Sequence, residues 1–292
     1  MAIMDMALGG VLLHAMPGGA LRWWYPEVLT VICAFFTVYC YLVGPYRERW
    51  GLAEGVERQR FYYFTAGLAV MALSEATPIH FISEEHLFSV HMLQHVLLTM
   101  VMAPLLIAGT PPWLVQRALQ RPWAMRLLRG LTRPVVTLLA FNIVNAAWHL
   151  PYFYQAPLIS HWLHPIQHVL LVVTALMMWW PLLSDVPQLP RLSYGAQVVY
   201  IFMILLVQLP VFAGITFADS VFYEFYAAAP DPWGVSPLED QQAAGIIMKI
   251  GGMAILIYFM GRAFFRWARE EAEGRQGGAG GVKTRLNDAP AS

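Results

Sequence analysis

The chain has 292 residues, of which 58% are hydrophobic and only 12% charged, and its formal net charge is zero. A soluble domain carries about 25% charged residues, so this composition excludes an ordinary soluble protein. Together with several long apolar runs, it predicts a multi-pass membrane protein in contact with the lipid bilayer. No internal repeat, Gly-rich phosphate loop or nucleophile elbow is present, and nucleic acid is not an expected partner.

Residues 1–23 read as an extracytoplasmic tail. The segment lacks a basic n-region and carries Asp5, so it is not expected to be a cleaved signal peptide. An all-α bundle of seven transmembrane spans follows within residues 24–263. The spans fall at about 24–43, 61–79, 87–109, 134–150, 162–183, 195–217 and 241–263. Cys33 and Cys40 lie in the first run at i, i+7, about 10 Å apart on a helix. That is too far for a disulfide, and they read as buried apolar cysteines. Residues 113–133 alternate apolar side chains with arginines and predict one amphipathic helix on the membrane surface. Residues 264–292 are polar and Gly-rich, which predicts a disordered tail.

Loop charge predicts orientation. Arg47, Arg49, Arg58, Arg60, Arg117, Arg121, Arg126, Arg129, Arg133 and Arg191 lie in alternate loops, and Arg262, Arg266, Arg269, Arg275, Lys283 and Arg285 follow the last span. All of these fall on one side, while Arg22 lies on the other and Lys249 lies inside a span. The expectation is an outside N-terminus and a cytoplasmic C-terminus in a bacterial inner membrane.

With that orientation all nine histidines fall on the outer half. His91 and His95 are four residues apart in span three and share one helix face. Such a pair can grip one metal ion, although capping and a neighbouring hydrogen bond would also account for it. His161, His164 and His168 form an i, i+3, i+7 stripe on span five, and Asn142, Asn145 and His149 form another on span four. Polar residues within spans normally point into the bundle. Ser236-Pro237-Leu238-Glu239 reads as a capping box opening span seven. That helix would bring in Asp240, Gln241 and Met248, and Glu75 stands at the outer end of span two. The expected ligands are His91, His95, His164 and His168. His86, His149, His161, Asn145, Asp240, Gln241, Met248 and Glu75 would stand near them, with Gln94 and Gln167 as further orienting groups. Imidazole with thioether suits copper, whereas imidazole with carboxylate suits zinc or non-haem iron. Met1, Met4, Met6, His14 and Met16 in the outer tail lean toward copper.

His91-Met92-Leu93-Gln94-His95-Val96-Leu97-Leu98, followed by Met102-Ala103-Pro104-Leu105-Leu106, resembles the membrane-embedded CtaG family of cytochrome c oxidase assembly factors of the caa-type oxidases. Trp148-His149-Leu150-Pro151, His164-Pro165-Ile166-Gln167-His168 and the 237–248 segment are similar to further motifs of that family. The resemblance implies a non-enzymatic metal-binding chaperone that handles copper ion for a haem–copper oxidase subunit. Lys249 departs from the pattern, because a cation there would oppose bound copper or pair with Glu75 or Asp240.

Three other readings compete. A haem-binding membrane protein would use His95 with His168, or His91 with His164, across a porphyrin. A copper transporter would need ligands in the inner half, where only Cys40 offers one. A retinal protein would use Lys249, but span three carries no counter-ion. Homo-oligomerisation is left open.

Overall fold

The computed structural model describes residues 24–154, 163–230 and 233–287, with side chains to 273. His14 and the methionines of the N-terminal tail, like His161, lie outside the described residues. The described residues form helices and no strand. Five helices are each long and apolar enough to cross a membrane: α1 (Pro26–Trp50), α4 (Phe88–Gly109), α8 (Leu163–Leu183), α9 (Tyr194–Thr216) and the start of α11 (Pro237–Asn287). Two bent pairs raise this to seven if each pair is one span. They are α2 (Arg58–Glu75) with α3 (Pro78–Glu85), bent by 47°, and α6 (Pro122–Leu131) with α7 (Pro134–His149), bent by 66°. The remaining labelled helices are α5 (Pro112–Leu119) and the short α10 (Glu224–Ala227).

α4 is the most deeply buried span, packed against α2, α8 and α11. Leu97–Met102 are wound in wider π turns just before Pro104. Proline has no N–H to donate, so the regular ladder cannot run through it. Thr99 shows the consequence, because its carbonyl accepts the Trp179 indole N–H from α8 at 2.8 Å. Trp179 is fully buried within a core that includes Val96, Phe141, Met178, Ile201 and Leu256. At the far end of α4, Gly109 presses against the backbone of Phe64 so closely that no side chain fits. The Tyr39 hydroxyl donates to the Gly109 carbonyl at 2.8 Å and fixes α1 to the same junction.

Several elements differ from the sequence expectation. The single surface helix at 113–133 is two helices, because Pro122 starts a new one at its first turn. α9 breaks at Gln208, just before Pro210, into Tyr194–Val207 and Leu209–Thr216. Residues 80–86, the expected connection between spans two and three, fall for the most part in the helix α3, which starts at Pro78 inside the expected span two. Thr77 is its N-cap and accepts the Ile79 N–H at 3.3 Å, and Pro78 occupies the first turn. α11 continues through Asn287 where a disordered tail was expected from 264. The run Arg262–Glu273 is rich in alanine, arginine and glutamate, all good helix formers, and they carry the helix past the apolar stretch. Cys33 is exposed rather than buried, and Cys40 is intermediate. The capping box is formed: Ser236 Oγ donates to Glu239 Oε2 at 2.7 Å, and the Glu239 N–H returns a bond to Ser236 Oγ at 3.3 Å.

Candidate metal centre

Four helices bring histidines to one end of the bundle. α4 supplies His91 and His95, α8 supplies His164 and His168, α7 supplies His149, and α3 supplies His80. The ring centroids of His91 and His95 are 4.2 Å apart, those of His164 and His168 4.6 Å, and those of His95 and His168 5.8 Å. His91 and His168 are 6.3 Å apart. The four imidazoles singled out in the sequence therefore meet in space. Helical spacing aligns each pair, and the packing of α4 with α8 brings the pairs together.

Two carboxylates, from the α2–α3 bend, hold the outer faces of these rings. Glu84 contacts His164 Nδ1 at 3.0 Å through one oxygen and His91 Nδ1 at 3.2 Å through the other. Glu75 contacts His168 Nδ1 at 3.2 Å and His80 Nδ1 at 3.9 Å. Gln94, itself fully buried, ties the group together. Its amide nitrogen donates to Glu75 Oε1 at 2.9 Å, and its oxygen accepts the Ser83 hydroxyl at 2.7 Å.

The other ring nitrogens are different. Nε2 of His91, His95, His164 and His168 is buried with no hydrogen-bond partner, as are Nδ1 of His95 and Nδ1 of His91, which lies within ion-pair distance of Glu84 without forming a hydrogen bond to it. A buried nitrogen without a partner costs about 1–3 kcal/mol, so a cluster of them calls for a ligand. Imidazole bound to a metal through one nitrogen and to a carboxylate through the other is the common arrangement in metalloproteins. The donor chemistry here fits it. The closest grouping of possible ligand atoms is His80, Glu84 and His164, all within 4.8 Å of one another. His164 belongs both to this mixed group and to the four-histidine cluster.

Glu84 and His80 are absent from the expected site. Their signal was the Thr77-Pro78 helix start, which places His80 and Glu84 at i, i+4 on one face. Three expected residues lie elsewhere. The carboxylate of Asp240 accepts the N–H groups of Phe88 at 2.7 Å and Ser89 at 3.2 Å, so it caps α4 from α11. Gln241 accepts the Phe222 N–H at 2.7 Å and donates to the Ser220 carbonyl, so it shapes that loop. His86 bonds the Pro230 carbonyl at 2.9 Å and its ring lies against Trp233. Gln167 is buried with its amide unpartnered. Lys249 pairs with neither Glu75 nor Asp240. Its amine donates to the Leu205 carbonyl at 3.1 Å, beside the break in α9.

Met248 and Asn145 line a cavity of about 30 Å³ together with His95, His149 and Lys249. An aromatic floor closes the chamber on another side. Tyr154 and Tyr226 share a hydrogen bond at 3.0 Å, and Tyr226 donates to the Ser83 carbonyl at 2.7 Å. Burial pushes the Tyr226 phenol well above its ordinary range, with the Glu84 carboxylate adding to the effect, so it stays a donor.

The family model described as cytochrome c oxidase caa3 assembly factor matches residues 37–270. The chain belongs to the cytochrome c oxidase caa3 assembly factor family. Every helix of the histidine chamber falls within the matched range. The assembly-factor family chain is also similar to uncharacterized proteins of mycobacteria. One from Mycobacterium leprae is 28% identical over 203 residues, covering 63% of this chain and 30% of that protein. One from Mycobacterium bovis is 26% identical over 232 residues, covering 71% of this chain and 32% of that protein. The chain thus spans about a third of the length of these curated relatives. No solved structure gives a significant match.

Proposed function

We propose that this family member binds copper ion at the His91, His95, His164 and His168 cluster and passes it to a haem–copper oxidase subunit during oxidase assembly. One observation carries the reading: four buried Nε2 atoms without partners stand in one chamber, three of their rings contacted through Nδ1 by Glu84 or Glu75. The family supplies the biological setting, and the chemistry of the chamber suggests the cargo. The role is binding and hand-over rather than catalysis.

The chamber lies at the extracytoplasmic face of the bacterial cytoplasmic membrane in this reading, with the N-terminus outside. Sixteen of the eighteen lysines and arginines fall on the opposite side of the chain's alternation, which supports that direction. A donor site buried at that level can face an acceptor in a neighbouring bundle, so the ion need not cross water. Glu84 and Glu75 would orient the rings and offset the charge of the ion. The side-by-side pairing of the rings, with centroids 4.2 Å apart for His91 and His95 and 4.6 Å apart for His164 and His168, suits a small ion better than a macrocycle.

Copper content per chain, measured by elemental analysis on purified wild type and on His91→Ala/His95→Ala, tests the reading. The variant is expected to lose copper while keeping its helical signature and its unfolding transition. Equal copper in two folded proteins would remove the cluster from the mechanism. A Soret band in the purified protein would replace copper with haem.

A further inference from the structure

We propose that His149 and Met92 form a second, soft site for a univalent ion such as Cu(I), beside the carboxylate-bearing cluster. The inference rests on the copper-handling reading and adds to it a residue pair of different chemistry.

The position of one proton fixes the tautomer of His149. His149 Nδ1 lies 2.6 Å from the Asn145 backbone carbonyl, one turn earlier in α7. A carbonyl only accepts, so Nδ1 carries the hydrogen. In the neutral ring Nε2 then presents a lone pair. That lone pair faces Met92 Sδ at 3.3 Å. A thioether sulfur is also only an acceptor. Two acceptors thus face each other inside the protein, where Met92 is fully buried and His149 only 6% exposed.

A cation between them removes the conflict. A proton on Nε2 would make a buried imidazolium, yet no carboxylate pairs with His149 among the described residues. Burying an unpaired charge is costly. A metal ion fits the spacing better. Bonds of about 2.0 Å to imidazole and about 2.3 Å to sulfur, at a tetrahedral angle, put the two donors about 3.5 Å apart.

The surroundings select the ion. Thioether and neutral imidazole are soft donors and favour Cu(I), whereas carboxylate favours harder divalent ions. Glu75 and Glu84 contact the other cluster and not this pair. His95 lines the small cavity next to His149 and can complete the coordination. His95 stands between the two sites: its ring is 4.2 Å from His91 and 6.4 Å from His149, and both its nitrogens are without partners. This places it to serve either set.

Copper-edge X-ray absorption on the purified full chain, loaded with Cu(I) without oxygen, tests the site. A Cys33→Ser/Cys40→Ser background leaves thioether as the only sulfur source. The expected spectrum has a sulfur scatterer at about 2.3 Å that disappears in Met92→Leu, a change that nearly conserves volume. Cu(I) affinity against a chelator should fall at least about tenfold in Met92→Leu, while Zn(II) binding at the carboxylate-bearing cluster stays within twofold. His149→Gln serves as a second variant with the same expected loss of the sulfur scatterer. Cu(I) held by nitrogen and oxygen alone would overturn the soft site and leave copper handling standing. A sulfur scatterer that survives both substitutions would also overturn it. A wild-type chain that takes up no copper would remove both readings.

Discussion

Asp240 accepts the backbone N–H of Phe88 at 2.7 Å, so the first turn of α11 caps the first turn of α4. The carboxylate, 4% exposed, also takes the Ser89 N–H at 3.2 Å. Two otherwise unpaired donors at a helix start are thereby satisfied, and negative charge sits at the positive helix end. The helix so fixed is the one that carries His91 and His95. Asp240→Ala is expected to lower stability by about 1–3 kcal/mol, seen as a lower unfolding temperature in detergent. Asp240→Asn keeps an accepting oxygen and should recover part of that loss. Equal unfolding temperatures for all three proteins would mean that water takes over the cap.

Glu84 bridges His91 and His164 across two helices. Glu84→Gln keeps the shape and removes the charge that orients both rings. Metal affinity is expected to fall about 10- to 100-fold, read by chelator competition. Glu85→Gln, at the neighbouring position, which forms no ion pair with a histidine among the described residues, should leave affinity within twofold. The comparison separates a local electrostatic role from a general effect of negative charge on α3.

Metal uptake should depend on pH in one direction. A ligating imidazole must shed the proton from its ligating nitrogen, so binding releases protons. Affinity is therefore expected to fall as the buffer is made more acidic. Metal content measured by dialysis at a series of pH values reads this directly. Uptake that rises as the buffer is made more acidic would point to ligands other than histidine.

The histidine chamber was legible in the sequence where helical period does the positioning. His91 with His95, and His164 with His168, needed only the i, i+4 rule and the preference of polar side chains for the bundle interior. Glu84 and His80 were missed because residues 80–86, between the expected spans 61–79 and 87–109, read as a loop, although Thr77 and Pro78 announce a helix start. Asp240 was found by charge and misplaced by distance. Its partners, Phe88 and Ser89, are more than 150 positions away, and no local pattern reports backbone donors on another helix. The breaks in α4 and α9 follow Pro104 and Pro210, but what satisfies the freed carbonyls depends on tertiary packing. Trp179 and Lys249 do so from other helices.

Gly109 marks the closest approach of α4 to α2. A methyl group at this position meets the backbone of Phe64, which cannot yield as a flexible side chain would. Gly109→Ala is expected to cost about 1–3 kcal/mol through overpacking. Gly130 in α6 is the control, because a methyl group there meets only open space. Gly130→Ala should be neutral or stabilising by about 0.5–1 kcal/mol through helix propensity. Thermal unfolding of the two variants side by side distinguishes contact from propensity.

Lys249 is the cation that should trouble a copper protein, and its contacts assign it a different task. Its amine donates to the Leu205 carbonyl at 3.1 Å and lies 5.7 Å from the centre of the Phe212 ring. The break of α9 at Gln208 leaves carbonyls of the preceding turn short of helical partners. Lys249 bonds one of them across the helix interface and stacks on the segment that follows the break. Lys249→Met keeps the apolar stem and removes the donor. Stability is expected to fall by about 1–3 kcal/mol, with copper per chain unchanged. Lys249→Arg retains donors and should restore part of the unfolding temperature. A rise in copper affinity with no change in stability would instead make the amine a repelling charge at the cavity it shares with His95 and His149.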